Sequence, residues 1–99
     1  MTDRVHLVGI GGIGMSALAQ ILLARGIPVS GSDTQASAIT ERLIAQGAGV
    51  TIGHRAELVE GAARVVLTDA IREENPELQR ARALSLLVQR RVQIGRAHV

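Results

Sequence analysis

VHLVGIGGIGMS, residues 5–16, sets the architecture of the whole chain. The dense apolar run at its start is typical of a parallel strand that is covered on both faces. Gly9, Gly11 and Gly14 then give a Gly-x-Gly-x-x-Gly spacing, with Gly12 as an additional glycine. After them the apolar residues recur at helical spacing, namely Met15, Leu18, Ala19, Leu22 and Leu23. The glycines therefore lie where a strand passes into a helix.

This succession of strand, glycines and helix predicts a phosphate-binding site. The glycines allow a tight turn, a close approach of the backbone to a diphosphate, and close packing of the helix on the strand. The helix directs its first N–H groups and the positive end of its dipole at the anion. The predicted diphosphate-binding residues are Gly9, Gly11, Gly12, Ile13, Gly14, Met15 and Ser16. The alternative is a glycine-rich turn with a structural role only.

The rest of the chain alternates strand-like and helix-like segments. Strands are predicted near residues 28–31, 49–52, 63–67 and 86–88, and helices over residues 13–25, 37–46 and from 76 onward, with one helical turn near residues 57–59. Ser37 and Asn75 are the predicted helix caps, and Pro76 suits a first helical position. Ile39, Leu43 and Ile44 are predicted to be buried on the second helix, and Leu78, Ala81 and Leu84 on the third. The fold class is therefore α/β, a Rossmann-like open parallel sheet with helices on both faces.

An acid, Asp33, ends the second predicted strand, 19 residues after Gly14. In dinucleotide-binding folds an acid at this place accepts hydrogen bonds from ribose hydroxyls. An exposed turn aspartate is the alternative. The spacing alone leaves open an NAD-binding domain of a dehydrogenase and a stand-alone nucleotide-binding module.

Composition excludes several classes of function. Ninety-nine residues allow one domain, and without Phe, Tyr or Trp its core must consist of smaller apolar side chains. The net charge of +2 and the absence of aromatic residues argue against a nucleic-acid partner. There is no cysteine, no signal-peptide pattern and no apolar run long enough to cross a bilayer, so we expect a cytoplasmic protein without membrane contact.

The chemistry that the sequence lacks is also informative. It has no Gly-x4-Gly-Lys-Ser/Thr phosphate loop, no metal-ligand motif and no convincing catalytic set, so no catalytic residue and no metal site are predicted. His6 lies within the first strand and is predicted to be a structural histidine.

The segments GIGGIGMS (residues 9–16), VSGSD (29–33) and IGH (52–54) together resemble the N-terminal domain of the Mur ligases of bacterial cell-wall synthesis. The sequence of the glycine segment is most similar to that of the members that join L-alanine to UDP-N-acetylmuramate. The resemblance implies that residues 1–92 are a UDP-sugar-binding domain. It also implies that the central ATP-binding domain and the C-terminal domain of a longer enzyme are missing. ATP and Mg²⁺ would then serve the full-length parent, while this segment would bind UDP-N-acetylmuramate, hold no cofactor and have no ligase activity alone.

The resemblance also assigns residues to the uridine and ribose side of the ligand. Asp33 matches the acid at the sugar-nucleotide site, and His54 matches a position near the uridine, where an ordinary loop histidine is the alternative. Thr68, Ala70 and Ile71 match a Ser-Ser-Ala-Ile segment of the family. Asp69 departs from it by placing a carboxylate where the family has a serine, which argues against ligand contact at that position.

Residues 93–99, QIGRAHV, have no apolar period and no counterpart in the resembled family. Its last six residues are those that the codons ATC GGA AGA GCA CAC GTC, a sequencing-library adapter, would encode. We interpret the segment as a non-native tail produced by read-through into the adapter, with a native tail as the alternative.

Overall fold

Five parallel strands form the centre of the computed structural model, which describes residues 3–91. They are β1 (Val5–Val8), β2 (Val29–Asp33), β3 (Gly49–Ile52), β4 (Arg64–Thr68) and β5 (Leu87–Arg91). Their order in the sheet is β3-β2-β1-β4-β5, and each neighbouring pair is parallel. The predicted α/β class and open parallel sheet are confirmed. The predicted tail, residues 93–99, lies outside the described residues.

Helices cover both faces of the sheet. These are α1 (Ile13–Ala24), α2 (Ala38–Ala45) and α3 (Pro76–Ala83), with a 3₁₀ turn at Ala56–Val59. The helices α1 and α2 pack together on one face, and α3 packs with the 3₁₀ turn on the other. Both predicted caps are present, because Ser37 accepts a hydrogen bond from the Thr40 N–H and Asn75 accepts one from the Glu77 N–H.

The central strand β1 supplies side chains to two separate cores. Val5 and Leu7 belong to the apolar cluster under α1 and α2, whereas Val8 belongs to the cluster under α3. His6 also faces α3, where its imidazole meets Glu77. This alternation follows from the two-residue period of a strand, and burial on both faces explains why apolar residues of β1 occur on both sides of the sheet.

Two strands end later than the sequence predicts. The strands β4 and β5 extend to Thr68 and Arg91, beyond the predicted residues 67 and 88, whereas β2 ends at Asp33 as predicted. In β5 the residues pair with β4 as far as Thr68 opposite Arg91. The extension is polar because β5 is an exposed edge strand, so apolar periodicity could not indicate its end.

Two predicted core residues are exposed. Ile44 on α2 is 47% exposed, and Leu84, which caps the C-terminus of α3, is 39% exposed. On α2 the buried partner of Leu43 is Thr40, which is 1% exposed. The hydroxyl of Thr40 is bound to the Ser37 carbonyl, so a polar residue occupies the inner face at no cost in hydrogen bonding.

The sheet reverses its direction of growth between β1 and β4. From β1 the chain passes through α1 to β2 on one side, and from β3 it crosses to β4 on the other side. The carboxyl ends of β1 and β4 therefore diverge into loops on opposite sides. In open parallel sheets, this switch point is where ligands bind.

Candidate nucleotide-binding site

A cleft of about 710 Å³ opens at the carboxyl edge of the sheet, at the switch point. Its walls are the loops that follow β1, β2 and β4, together with the end of β5. The lining residues are Gly9, Gly11, Gly12, Ile13, Gly14, Met15, Asp33, Thr34, Gln35, Ala36, Ser37, Thr68, Ala70, Ile71 and Arg91. Ten of the twelve predicted site residues are among them, and the two that are not are Ser16 and His54.

The N-terminus of α1 supplies hydrogen-bond donors to this cleft. The first intrahelical bond runs from the Ser16 N–H to the Gly12 carbonyl, at 2.7 Å. The N–H groups of Ile13, Gly14 and Met15 precede it and have no carbonyl within the helix to bind. No acidic residue lies in the first turn of α1. The arrangement is suited to an anion, because both the donors and the helix dipole favour negative charge.

The N–H groups of the other predicted diphosphate-binding residues already form hydrogen bonds within the protein, so contact between these residues and a ligand stays a prediction. The Gly9 N–H binds the Ser32 carbonyl at 2.8 Å, and the Gly12 N–H binds the Gly9 carbonyl at 3.0 Å. The Gly11 N–H binds Asp33 Oδ2 at 2.8 Å. Ser16 is buried, and its hydroxyl donates to the Ile13 carbonyl at 3.0 Å. These bonds fold the glycine loop, residues 9–12, tightly against β2.

Asp33 has a structural role in the cleft in addition to the predicted ligand contact. Its Oδ2 accepts the Gly11 N–H and its Oδ1 accepts the Thr34 N–H, both at 2.8 Å. A Cβ on Gly11 would lie 2.8 Å from Oδ2, so only glycine permits this approach. Each carboxylate oxygen retains a lone pair, and contact between Asp33 and a ribose stays a prediction.

The turn after β4, residues 68–71, forms the opposite wall. Thr68, Ala70 and Ile71 line the cleft, whereas Asp69 is exposed and does not. The Ile71 N–H binds the Thr68 carbonyl at 3.1 Å. Arg90 on β5 donates to the carbonyls of Thr68 and Ile71, at 3.1 and 3.3 Å. These hydrogen bonds stabilise the turn.

Arg91 is a lining residue that the sequence analysis missed. Its Nη1 lies 3.4 Å from the Gly14 carbonyl, which brings a positive charge to the end of α1 that lines the cleft. Extending β5 by pairing to Thr68 would have placed it at the ligand edge, but the predicted strand ended at residue 88. The lining residues 34–37, which follow Asp33, were also not predicted, because no sequence motif marks them.

A buried carboxylate, Glu77 in the first turn of α3, lies beneath this edge. Its Oε1 contacts His6 Nε2 and the Ser32 hydroxyl, both at 2.8 Å. Its Oε2 contacts His54 Nδ1 and the Arg55 N–H, both at 3.1 Å. The structural role predicted for His6 agrees with its burial and with its bond to Glu77. Glu77 itself was not predicted, because a glutamate after a helix cap usually lies in solvent.

Burial by itself raises the pKa of the Glu77 carboxyl, since charge is unfavourable away from water. Hydrogen bonds from His6 and Ser32, the charge of His6 and a further bond from His54 act in the opposite direction. Together they outweigh burial and hold the pKa below its ordinary value of 4.5. Glu77 is therefore ionised at neutral pH, although its side chain is inaccessible to water.

Within residues 3–91, no three His, Cys, Asp or Glu side chains are grouped as ligands for a metal ion. No helix in the same range is both long and apolar enough to cross a membrane.

Comparison with known proteins identifies the family. A sequence model described as "Mur ligase family, catalytic domain" matches residues 4–97. The chain belongs to the Mur ligase family. A UDP-N-acetylmuramate–L-alanine ligase of Paraburkholderia phytofirmans is 54% identical over 82 residues. These residues are 83% of this chain and 18% of the relative. The corresponding ligase of Sorangium cellulosum is 54% identical over 96 residues, which are 97% of this chain and 19% of the relative.

Solved structures agree with the sequence relatives. The UDP-N-acetylmuramate-alanine ligase of Thermotoga maritima superposes with a TM-score of 0.85 at 36% identity, over 89% of this chain and 20% of that structure. A UDP-N-acetylmuramate:L-alanyl-gamma-D-glutamyl-meso-diaminopimelate ligase of Neisseria meningitides gives a TM-score of 0.81 at 26% identity. The match covers 91% of this chain and 29% of that structure. The Mur ligase chain described here thus spans about a fifth of the length of the L-alanine ligases that it matches.

Proposed function

We propose that this chain is the UDP-N-acetylmuramate-binding segment of a ligase that joins L-alanine to that sugar nucleotide in peptidoglycan synthesis. The single observation that carries the proposal is the cleft, where three N–H groups of α1 lie at the switch point of the sheet. The diphosphate is the part of the ligand that such donors suit. The names of the relatives supply the identity of the sugar nucleotide.

The parts of the cleft suit different parts of the ligand. The N–H groups of Ile13, Gly14 and Met15 bind the diphosphate, and the guanidinium of Arg91 adds positive charge beside them. Asp33 and the turn at residues 68–71 form the remaining walls and contact the uridine and ribose. The two halves of the site belong to loops on opposite sides of the switch point, so the ligand bridges them.

The reaction of the whole enzyme requires segments beyond this one. The residues present do not fit ATP, because the sequence has no Gly-x4-Gly-Lys-Ser/Thr loop and residues 3–91 hold no metal-ligand group. In a full-length parent, other segments would hold ATP and Mg²⁺, which would supply the energy for joining L-alanine to the sugar nucleotide. This segment holds and orients the sugar nucleotide, and it has no ligase activity by itself. The NAD-binding alternative is not favoured, because the relatives are named as ligases.

Replacing Ile13 by proline is expected to weaken UDP-N-acetylmuramate binding about 10- to 100-fold. Proline removes one N–H from the anion site, and a hydrogen bond to a charged group contributes roughly 1.5–3 kcal/mol. The fold should tolerate it, because Ile13 occupies the first helical position and proline is favoured there. Gly12 already has the extended conformation, φ −66° and ψ 155°, that suits a residue before proline. Calorimetric titration measures the affinity, and circular dichroism confirms that the variant is folded.

The matched control is Ile13→Ala, which removes the same side chain but keeps the N–H. The Ile13 side chain is 85% exposed, so neither substitution disturbs the core. The proposal requires Ile13→Pro to bind clearly more weakly than Ile13→Ala. Equal affinities of the two folded variants would show that this N–H does not contact the ligand.

A further inference from the structure

The carboxylate of Glu77 determines where the protons of two histidines lie. An ionised carboxylate accepts hydrogen bonds and cannot donate them, so each of its polar neighbours must donate. His6 faces it with Nε2 at 2.8 Å, and His54 faces it with Nδ1 at 3.1 Å. His6 therefore carries a hydrogen on Nε2, and His54 carries one on Nδ1.

A second contact places the hydrogen of His54 on the same nitrogen. The Ser32 hydroxyl donates its hydrogen to Glu77 Oε1 at 2.8 Å. Its oxygen also lies 3.0 Å from His54 Nδ1, and with its hydrogen committed it can only accept there. Nδ1 of His54 faces two acceptors, and in the neutral imidazole Nε2 then bears the lone pair.

His6 has the opposite tautomer, and its surroundings are consistent with this. Arg4 Nη1 donates to the Ser30 hydroxyl oxygen, which leaves the hydrogen of that hydroxyl for His6 Nδ1 at 2.8 Å. In the hydrogen-bonded series of Arg4, Ser30, His6 and Glu77, each acceptor atom thereby faces a donor. A fully satisfied buried network of this kind holds its members in one arrangement.

The same network is connected to the candidate binding site. Ser32 binds Glu77 through its side chain, and its carbonyl accepts the N–H groups of Gly9 and Ile10 at 2.8 and 3.0 Å. His54 follows Gly53, whose N–H binds the Asp33 carbonyl at 2.7 Å, next to a residue that lines the cleft. The His54 side chain does not line the cleft, but it is 19% exposed, so part of it is accessible from solvent.

We propose that Glu77 is a positioning residue for the ligand edge of the sheet. It holds His54 with Nδ1 protonated, so that Nε2 of His54 can accept a hydrogen bond from a bound nucleotide. The complementary group is an N–H of the base or an O–H of the ribose. The ligand half of this proposal rests on the proposed function, whereas the tautomer of His54 does not.

The tautomers are measured without ligand, by long-range ¹H–¹⁵N correlation NMR above the pH range in which histidines ordinarily titrate. We expect His54 to show a protonated Nδ1 and a bare Nε2, and His6 to show the reverse. A His54 ring that carries its hydrogen on Nε2, or that exchanges between both forms, would overturn the proposal. This measurement uses the unmodified chain, so it is decisive even where a variant fails to fold.

Glu77→Gln tests the origin of the tautomers, with Glu74→Gln as the matched control on an exposed neighbour. Glutamine presents one acceptor and one donor in place of two acceptors, so at least one histidine must change its tautomer. We expect altered ring nitrogen signals in Glu77→Gln and unaltered signals in Glu74→Gln. A folded Glu77→Gln with both original patterns would contradict the positioning role.

UDP is the probe for the ligand half. Bound UDP is expected to change the His54 Nε2 signal, and its affinity should fall roughly 3- to 10-fold in Glu77→Gln, as for one lost neutral hydrogen bond. 3-Methyl-UDP lacks the N–H of the base and identifies the donor. If it no longer changes the Nε2 signal, the donor is the base; if the signal still changes, the donor is the ribose. Either result supports an acceptor at Nε2. Bound UDP with an unchanged Nε2 signal overturns the ligand half. Failure of UDP to bind at all, with the tautomers as expected, contradicts the proposed function and leaves the positioning role standing.

Discussion

Alanine at position 31 is expected to unfold the domain or to bring it close to unfolding. Gly31 lies in β2 opposite Leu7 of β1, in the interior of the sheet. A Cβ at this position would lie 2.6 Å from Ile10 Cδ1 and 2.7 Å from the Leu7 carbonyl oxygen. These separations are far below van der Waals contact, and strand pairing prevents the Leu7 backbone from moving aside.

The expected loss for Gly31→Ala is at least about 3 kcal/mol, the upper end of the usual cost of overpacking. A domain of this length has a total stability of about 5–15 kcal/mol, so such a loss is a large part of it. Thermal unfolding followed by circular dichroism should show a midpoint at least about 12 °C lower, or no folded baseline.

Gly49→Ala is the matched control, because Gly49 also lies in a strand but has room for a methyl group. Its Cβ would meet only Ser30 Cβ, at 4.0 Å. We expect a change within about 0.5 kcal/mol. Similar midpoints for the two variants would mean that β2 does not lie as close to Ile10 and Leu7 as described.

Glu77→Ala is the second substitution with a large expected effect, a loss of about 3–5 kcal/mol. The variant leaves His6, Ser32, His54 and the Arg55 N–H without their acceptor, and each buried unsatisfied group costs about 1–3 kcal/mol. Water that enters the space left by the side chain can satisfy some of them, which keeps the total below the sum. Urea unfolding measures the change, and Glu74→Ala, on an exposed neighbour, should differ from the parent by no more than about 0.5 kcal/mol.

The same carboxylate makes stability depend on pH. The pKa of Glu77 is lowered in the folded state, so folding favours its ionised form. Its contribution is complete above the ordinary value of 4.5 and is lost as the pH falls through the lower folded value. The parent should therefore lose stability more steeply than Glu77→Gln below about pH 4.5. Parallel losses in the two proteins would show that Glu77 does not titrate with folding.

Much of the fold could be predicted from the sequence because its local signals agree with one another. The glycines after β1, the cap at Ser37 and the Asn75-Pro76 pair each specify a backbone conformation directly. The end of the edge strand β5 could not be predicted, since its last residues are polar and are ordered by pairing with β4. Pairing between distant segments leaves no periodic pattern in either of them.

The sequence motif predicts where the candidate site lies, but it does not predict how the hydrogen bonds of the glycine loop are allocated. Gly11 is where the motif requires a glycine, yet its N–H binds Asp33 and is not offered to a ligand. Arg91 and Glu77 were missed because their roles arise from tertiary contacts: one from strand pairing, the other from contacts of α3 with β1, β2 and the segment after β3. A sequence motif thus locates the loop, whereas the allocation of its hydrogen bonds requires the structure.

The most direct measurement of the central claim is an amide-resolved NMR titration of the chain with UDP-N-acetylmuramate, followed by the same titration with NAD. The account predicts saturable shifts that are largest at the N–H groups of Ile13, Gly14 and Met15, and that NAD at the same concentrations does not reproduce. Binding that leaves those three amides unchanged, or equal responses to both nucleotides, would contradict a UDP-sugar site at the N-terminus of α1.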